Sequence, residues 1–275
     1  MDNEEIFDIE SRLLLEALYR VHGYDFRDYG EASLRRRLAN WLSGSGFASL
    51  SEAQGRLLRD RKLLDQFVCS LTVNVSEMFR DPLFFSTIRE QVIPHLKTYS
   101  FIKIWHAGCA TGEEVYSMAI LLQEEGLLGR YRIYATDINE EVLGKAREGI
   151  YPLKEMQRFT QNYQKSEGRS DFADYYTARY DHAILMPSLK KNIVFAAHNL
   201  AVDADFGEMN MVVCRNVLIY FKAPLKERAL GLFDRSLPPG GFLCLGQKET
   251  LEKREICGNY DELARGTRIY VKRYR

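Results

Sequence analysis

Cysteine is scarce in this 275-residue chain, and the five present, Cys69, Cys109, Cys214, Cys244 and Cys257, include no Cys-x-x-Cys pair. An odd number so spaced argues against a disulfide framework and offers no metal-like pair; the expectation is reduced thiols, no metal and a cytoplasmic setting. Long apolar runs are missing too: nothing approaches the ~18 residues that span a bilayer, so no membrane insertion is expected. The opening Met1-Asp2-Asn3-Glu4-Glu5 is acidic where a secretory leader would be basic. Net charge is also absent, 38 Lys and Arg standing against 38 Asp and Glu. With no global field to draw the molecule onto a polyanion, nucleic acid is not the expected partner, and electrostatic recognition has to be local. No internal repeat or low-complexity tract interrupts the chain.

What is present is ordinary globular material, 46% hydrophobic and 28% charged, in a chain long enough for one large domain or a small one beside a larger one. From Glu4 to about Leu71 apolar residues recur at helical spacing. The sets are Leu13, Leu14, Ala17, Leu18 and Val21, then Leu34, Leu38, Trp41 and Leu42, then Leu57, Leu58, Leu63, Leu64, Phe67 and Val68. Gly44-Ser45-Gly46 separates the second helix from the third, and Ser49 or Ser51 is the expected cap of the next. Residues 1–71 are therefore expected to form a helical N-terminal domain. Beyond Thr72 the pattern changes to alternating strand and helix, which predicts an α/β domain over 72–275 with a parallel sheet covered on both faces. Strands are predicted at 102–106, 131–136, 192–198, 209–214 and 241–246, with a last one near 267–273. The alternation lapses between Gly149 and Asn192, where Tyr175 to Met186 suits short antiparallel strands in a small insertion, about 150–191.

The most telling segment is Ile102 to Glu114, a buried strand running into the small-residue turn Gly108-Cys109-Ala110-Thr111-Gly112 and then a helix. Such a turn lets a nucleotide-like ligand approach the backbone, although it is not a full Gly-x-Gly-x-x-Gly. The next strand ends in Asp137, placed as an acceptor for ribose hydroxyls, so the two together predict a cleft for an adenosyl group. Asn199-Leu200 follows another apolar strand, and its amide offers a donor and an acceptor to a base edge, or serves as a turn or cap. Arg215 ends the buried run Met211-Val212-Val213-Cys214 and needs a partner, an ion pair being the plain alternative to a site role. The junction Thr72 to Arg80 reads as a linker with Ser76 or Asp81 as helix cap, in a position that also overhangs a cleft.

These residues together carry a family resemblance. Thr72-x-Asn74-x-Ser76 through Phe79-Arg80, Ala110-Thr111-Gly112-Glu113-Glu114-x-Tyr116-Ser117, Ala135-Thr136-Asp137-Ile138, Gly149-Ile150-Tyr151, Asn199-Leu200 and Cys214-Arg215-Asn216-Val217-Leu218-Ile219-Tyr220-Phe221 resemble, in order and spacing, the chemotaxis receptor methyltransferase family CheR. The resemblance covers most of the chain. It implies a class I S-adenosylmethionine-dependent methyltransferase sheet domain, Rossmann-like, with an all-α N-terminal domain and a small antiparallel β insertion. The implied activity is transfer of methyl from S-adenosylmethionine to glutamate side chains of chemoreceptors, with S-adenosylhomocysteine as product and chemotactic adaptation as outcome; the alternative is a CheR-like enzyme or cofactor-binding module in another signalling pathway. Carried over, Asn74, Ser76, Arg80, Glu114, Asp137, Asn199, Leu200, Asn216 and Val217 would surround the cofactor, and Arg80 and Tyr220 would lie near the transferred methyl. The family's helical domain contacts receptor helices, which suits the basic run Arg35-Arg36-Arg37; a run like this is otherwise a solvated face. Some members capture a receptor's C-terminal peptide on the insertion, and a monomer is expected. Two departures stand out: Val115 where proline is common, and Gly246-Gln247-Lys248-Glu249 in place of Gly-His-Ser-Glu.

Rival readings weaken on particular residues. A base-methylating enzyme would carry Asn/Asp-Pro-Pro-aromatic where Arg215-Asn216-Val217-Leu218 stands, a nicotinamide dehydrogenase would carry the full glycine fingerprint, and a mere binding module would not need both Arg80 and Tyr220.

Overall fold

Asp2, Ser49 and Asp60 each accept a backbone N–H from the turn that follows them, and left-handed Gly23 and Gly46 close two of the ends. These signals cut the first part of the chain into four helices, α1 (Asn3–His22), α2 (Glu31–Ser45), α3 (Leu50–Leu57) and α4 (Arg61–Leu71). The computed structural model describes residues 2–74, 76–251 and 254–274, the side chains of Arg254 and Glu255 excepted. Of the two candidate caps, Ser49 is the one used, its Oγ accepting from Glu52 N–H at 3.1 Å. The third expected helix is in fact two, because Asp60 caps Leu63 at 3.1 Å and restarts the helix inside what reads as one apolar pattern. On α1 the buried stripe is Leu14, Leu15 and Leu18, whereas Leu13 and Val21 are both 57% exposed. Leu15 rather than Leu13 completes the face, and Val21 lies in the last turn beside the helix end. Phe26, Leu38, Leu50, Leu57, Leu64 and Phe67 fill the bundle core with that stripe.

The strands are β1 (Ile102–Ala107), β2 (Tyr131–Asp137), β3 (Ile150–Pro152), β4 (Tyr176–Arg179), β5 (His182–Leu185), β6 (Ile193–Ala197), β7 (Met211–Cys214), β8 (Phe242–Leu245), β9 (Tyr260–Glu262) and β10 (Ile269–Lys272). Seven form one sheet in the order β6-β2-β1-β7-β8-β10-β9. The first five in that order are mutually parallel, and β10 runs antiparallel to both β8 and β9. β7 and β8 are buried throughout, as expected of central strands covered on both faces. From β1 the chain proceeds outward through β2 and β6 on one side and returns to β7 on the other. A crevice opens at that reversal, outside the carboxyl ends of β1 and β7.

The insertion is a separate antiparallel sheet, β3-β5-β4. It also holds the helix Met156–Lys165, which the sequence reading passed over although Met156, Phe159 and Tyr163 sit at helical spacing and are buried. Tyr163 packs edge-on against Phe79 and binds Glu124. Glu124 belongs to a buried ionic knot: Arg89 reaches it at 2.6 Å and Glu125 at 2.8 Å, while Glu125 also takes Lys97 at 3.0 Å and Arg169 at 2.8 Å. The knot ties the segment before β1, the end of the helix Glu113–Glu124 and the insertion into one body. Removing the central cation leaves two buried carboxylates short of a partner, which costs far more than an exposed pair. Arg89→Leu is expected to lower unfolding free energy by about 3–5 kcal/mol in urea titration; a change below about 1 kcal/mol would show that the knot does not hold these elements together.

Candidate functional site

The turn after β1 is shaped by close backbone approach. Gly108 has φ +77°, and a Cβ there would lie 2.5 Å from Cγ2 of Val217, so any other residue has to take a left-handed backbone and displace the Val217 side chain. Gly108 and Cys109 N–H both donate to the Thr136 carbonyl at 2.8 and 2.9 Å, and Ala110 N–H donates to Asp137 Oδ2 at 2.9 Å. Asp137 Oδ1 accepts from Asn139 N–H at 3.0 Å. Burial pushes the Asp137 carboxyl above its usual range, and the backbone donors of Asn139, Ala110 and Ile138 work against that. Backbone donors thus use part of the roughly four acceptor positions of a carboxylate, and acceptor capacity remains for a ligand in the cavity that Asp137 lines.

The loop after β7 faces this turn. Asn216 has φ +62°, and its N–H and those of Val217 and Ile219 donate to the carboxylate of Glu249 at 3.0, 2.9 and 3.3 Å. Gly246 N–H donates to the same carboxylate at 2.6 Å. Glu249 is 4% exposed and outside the cavity lining, yet it fixes the loop that carries Asn216, Val217 and Tyr220. Sequence reasoning noted Glu249 only inside a departure from a pattern. Its signal was a lone acid four residues past the end of a buried strand.

Glu114, in the first turn of the helix Glu113–Glu124, is half-buried, and its desolvation opposes ionisation. The Arg215 guanidinium, bonded to it, and His106, whose Nδ1 lies 3.7 Å away, nevertheless hold its carboxyl below the usual range. The second branch of Arg215 meets Asp81 at 2.6 Å, so the ion-pair alternative for Arg215 is the observed one. Asp81 does sit at the start of a helix, Pro82–Thr87, but makes no capping hydrogen bond; its carboxylate is turned to Arg215 instead.

Asn74, Ser76, Arg80, Glu114, Asp137, Asn199, Leu200, Asn216, Val217 and Tyr220 all line one cavity at the crevice. Not all are equally disposed toward a ligand. Asn199 Oδ1 accepts from Ala201 N–H at 2.9 Å and Nδ2 donates to the Gly23 carbonyl at 3.2 Å, so its amide shapes a turn and ties the sheet to the end of α1 instead of offering a base edge. Asn74 is similarly turned inward, its Nδ2 donating to the Cys69 carbonyl at 3.0 Å and its Oδ1 accepting from Thr72. Among the described residues, neither the Arg80 guanidinium nor the Tyr220 hydroxyl has a hydrogen-bond partner. The basic run of α2 divides: Arg35 pairs with Glu4 and Asp8 at the surface and Arg36 is exposed, neither lining the cavity. Arg37 does line it, donating to the Leu71 carbonyl at 2.7 Å with its guanidinium 5.3 Å from the Tyr220 ring centroid. The helical bundle thus roofs the crevice. The contact is pinned where Gly30 N–H donates to the Tyr220 carbonyl and Lys222 N–H to that of Asp28, each at 2.7 Å. Tyr29, missed in the sequence because it falls between helices, bridges to Phe221 and also lines the cavity.

Gly108→Ala is expected to weaken S-adenosylhomocysteine binding by about tenfold or more in calorimetry. Unchanged affinity would show that the β1 turn and the Val217 loop need not meet so closely.

Comparison with known proteins agrees with this geometry. The family model described as "CheR methyltransferase, SAM binding domain" matches residues 74–262, and "CheR methyltransferase, all-alpha domain" matches 9–72. Cher3 of Pseudomonas putida, provisionally named a methyltransferase and given no substrate in its name, is 49% identical over 99% of this chain and 100% of its own length. A chemotaxis protein methyltransferase of Listeria innocua is 33% identical, over 83% of this chain and 85% of that protein. One of Vibrio parahaemolyticus is 31% identical over 90% of both. Among solved structures, the N-methyltransferase NodS of Bradyrhizobium japonicum in complex with S-adenosyl-L-homocysteine aligns over 61% of this chain and 63% of that one, with 16% identity and a TM-score of 0.33, a likeness too loose to support a conclusion. The chemistry of the site suits an adenosyl sulfonium cofactor independently: a buried carboxylate with acceptor capacity left at the end of β2, a second carboxylate at a helix start, and a β1 turn closely packed against Val217 at Gly108. The family models and the relatives matched over most of their length lead to one conclusion: this chain belongs to the CheR methyltransferase family and is an S-adenosylmethionine-dependent methyltransferase.

Proposed function

We propose that the protein methylates glutamate side-chain carboxylates on the cytoplasmic helices of chemoreceptors, forming glutamyl methyl esters from within the cytoplasm. The observation that carries this reading is the free guanidinium of Arg80: it lines the cavity without an acidic partner among the described residues, while nearby Arg215 is held by two carboxylates. A cation left unpaired in a cleft suits an anionic acceptor. The names of the Listeria and Vibrio relatives support the same substrate class.

S-adenosylmethionine supplies a methyl carbon already activated by its sulfonium. A glutamate acceptor, with a reference pKa of ~4.3, is ionised near neutral pH and attacks without a general base. The protein's part is then orientation, holding oxygen and methyl carbon at an attack distance of ~3–3.5 Å and in line with the leaving sulfur. The forked Arg80 guanidinium orients the carboxylate, and the Tyr220 hydroxyl completes its placement. Too tight an ion pair would stabilise the ground-state carboxylate, whose charge disperses in the transition state, so Arg80 serves best when exposed to some solvent, as its half-buried position allows. In this reading Asp137 takes the ribose hydroxyls and Glu114 the cofactor's ammonium group, with Asn74, Ser76, Asn199, Leu200, Asn216 and Val217 forming the walls. The helical region over 1–71 presents α2 to the receptor, with Arg37 at the mouth of the cavity and Arg35 and Arg36 further out.

The test is incubation with labelled methyl donor and purified chemoreceptor cytoplasmic fragments, scoring alkali-labile label, since methyl esters hydrolyse where N-methyl and C-methyl products persist. Arg80→Ala is expected to lower kcat by about a hundredfold or more while S-adenosylhomocysteine affinity stays within about threefold; full turnover would remove Arg80 from the mechanism. Arg37→Ala is expected to raise KM for the receptor fragment by about tenfold, against less than about twofold for Arg35→Ala. Equal effects would make the run a plain surface.

A further inference from the structure

We propose that Arg215 is a positioning residue that mechanically joins the cofactor-facing carboxylate of Glu114 to the segment carrying Arg80; this rests on the reading that Arg80 orients the acceptor. Arg215 leaves the end of β7 with its side chain 1% exposed. One branch, Nη1, bonds Glu114 and also donates to the Arg80 carbonyl at 3.4 Å, and Nη2 donates to Asp81 at 2.6 Å. The Phe84 ring covers one face at 4.0 Å, so the guanidinium meets its ionic partners along its edge. A planar fork held this way sets the spacing between Glu114 and Arg80 as a single rigid spacer, which a lysine cannot do.

One feature argues that this is more than a stabilising pair. The segment it grips is one that would not keep its shape unaided: Phe79 and Asp81 lie in the left-handed region at φ +52° and +57°, a conformation that persists only where the surroundings impose it. Phe79 N–H is held by Ser117 Oγ at 2.8 Å, from the same helix that carries Glu114; Phe84 N–H donates to the Asp81 carbonyl at 2.8 Å, and Arg215 grips the Arg80 carbonyl and the Asp81 carboxylate.

The test uses the full chain, with S-adenosylhomocysteine calorimetry and methyl transfer to a chemoreceptor cytoplasmic fragment at saturating cofactor. Arg215→Lys is expected to weaken S-adenosylhomocysteine by about tenfold and to lower kcat by about tenfold. Asp81 does not line the cavity; Asp81→Asn is nevertheless expected to lower kcat by about tenfold with affinity within about threefold, and to add less than about twofold in the Arg215→Lys background. Multiplying effects, or an Asp81→Asn enzyme with normal kcat and only a lowered Tm, would overturn the proposal, and Asp81→Asn decides the matter even if Arg215→Lys does not fold. Unchanged turnover in Arg80→Ala would defeat the functional reading alone, leaving the loss of affinity in Arg215→Lys as a separate result.

Discussion

The order of strands reverses between β1 and β7, and the chemistry of this protein depends on that reversal. A parallel sheet whose connections all ran one way would close its carboxyl edge with crossover loops. Here the chain departs from β1 toward β2 on one side and comes back to β7 on the other, so the turn at Gly108 and the loop at Asn216 flank the gap, with Gly108 against Val217. The lips of this gap are lined by Asp137 at the end of β2, Glu114 at the start of the helix after β1, and Val217 after β7. The helical bundle supplies the roof and brings Tyr29 and Arg37 over it.

Behind the lips lies a frame of buried charge. Glu249 gathers four backbone N–H groups from two loops, and Arg215 spans two carboxylates and a carbonyl. Buried ions of this kind are poor value for stability, since desolvation offsets most of the Coulomb gain. They are good at imposing one geometry, because any displacement strands a charge. The cavity-facing Arg80 guanidinium and Tyr220 hydroxyl, by contrast, have no hydrogen-bond partner among the described residues. The proposed ligand-facing groups are thus the ones left free, while the framing carboxylates are held by protein.

Much of this was readable from residue order alone. Central parallel strands are near-continuous apolar runs, so β1, β2, β7 and β8 announce themselves within a residue or two, and the acidic residue after β2 follows from the same alternation. Less was readable where a side chain serves two structures at once. Asp60 divides one apolar pattern into two helices because a single cap outweighs the continuity of the leucines around it. The short β3 and β9, of three residues each, carry no period that could be seen. Asn199 looks like a ligand amide until Gly23, distant in sequence, is found to accept its N–H. Three adjacent arginines look alike until the helix turns only Arg37 toward the cavity. Glu249 and Tyr29 were illegible for the same reason: each acts through a partner that only the fold brings near.

The account is tested most directly by a crystal structure of the protein with S-adenosylhomocysteine. It predicts the ribose hydroxyls on the Asp137 carboxylate, the amino group beside Glu114 and the sulfur facing the space between Arg80 and Tyr220. An adenosyl group bound outside the β1–β7 crevice, or within it but out of reach of both Asp137 and Glu114, would contradict it.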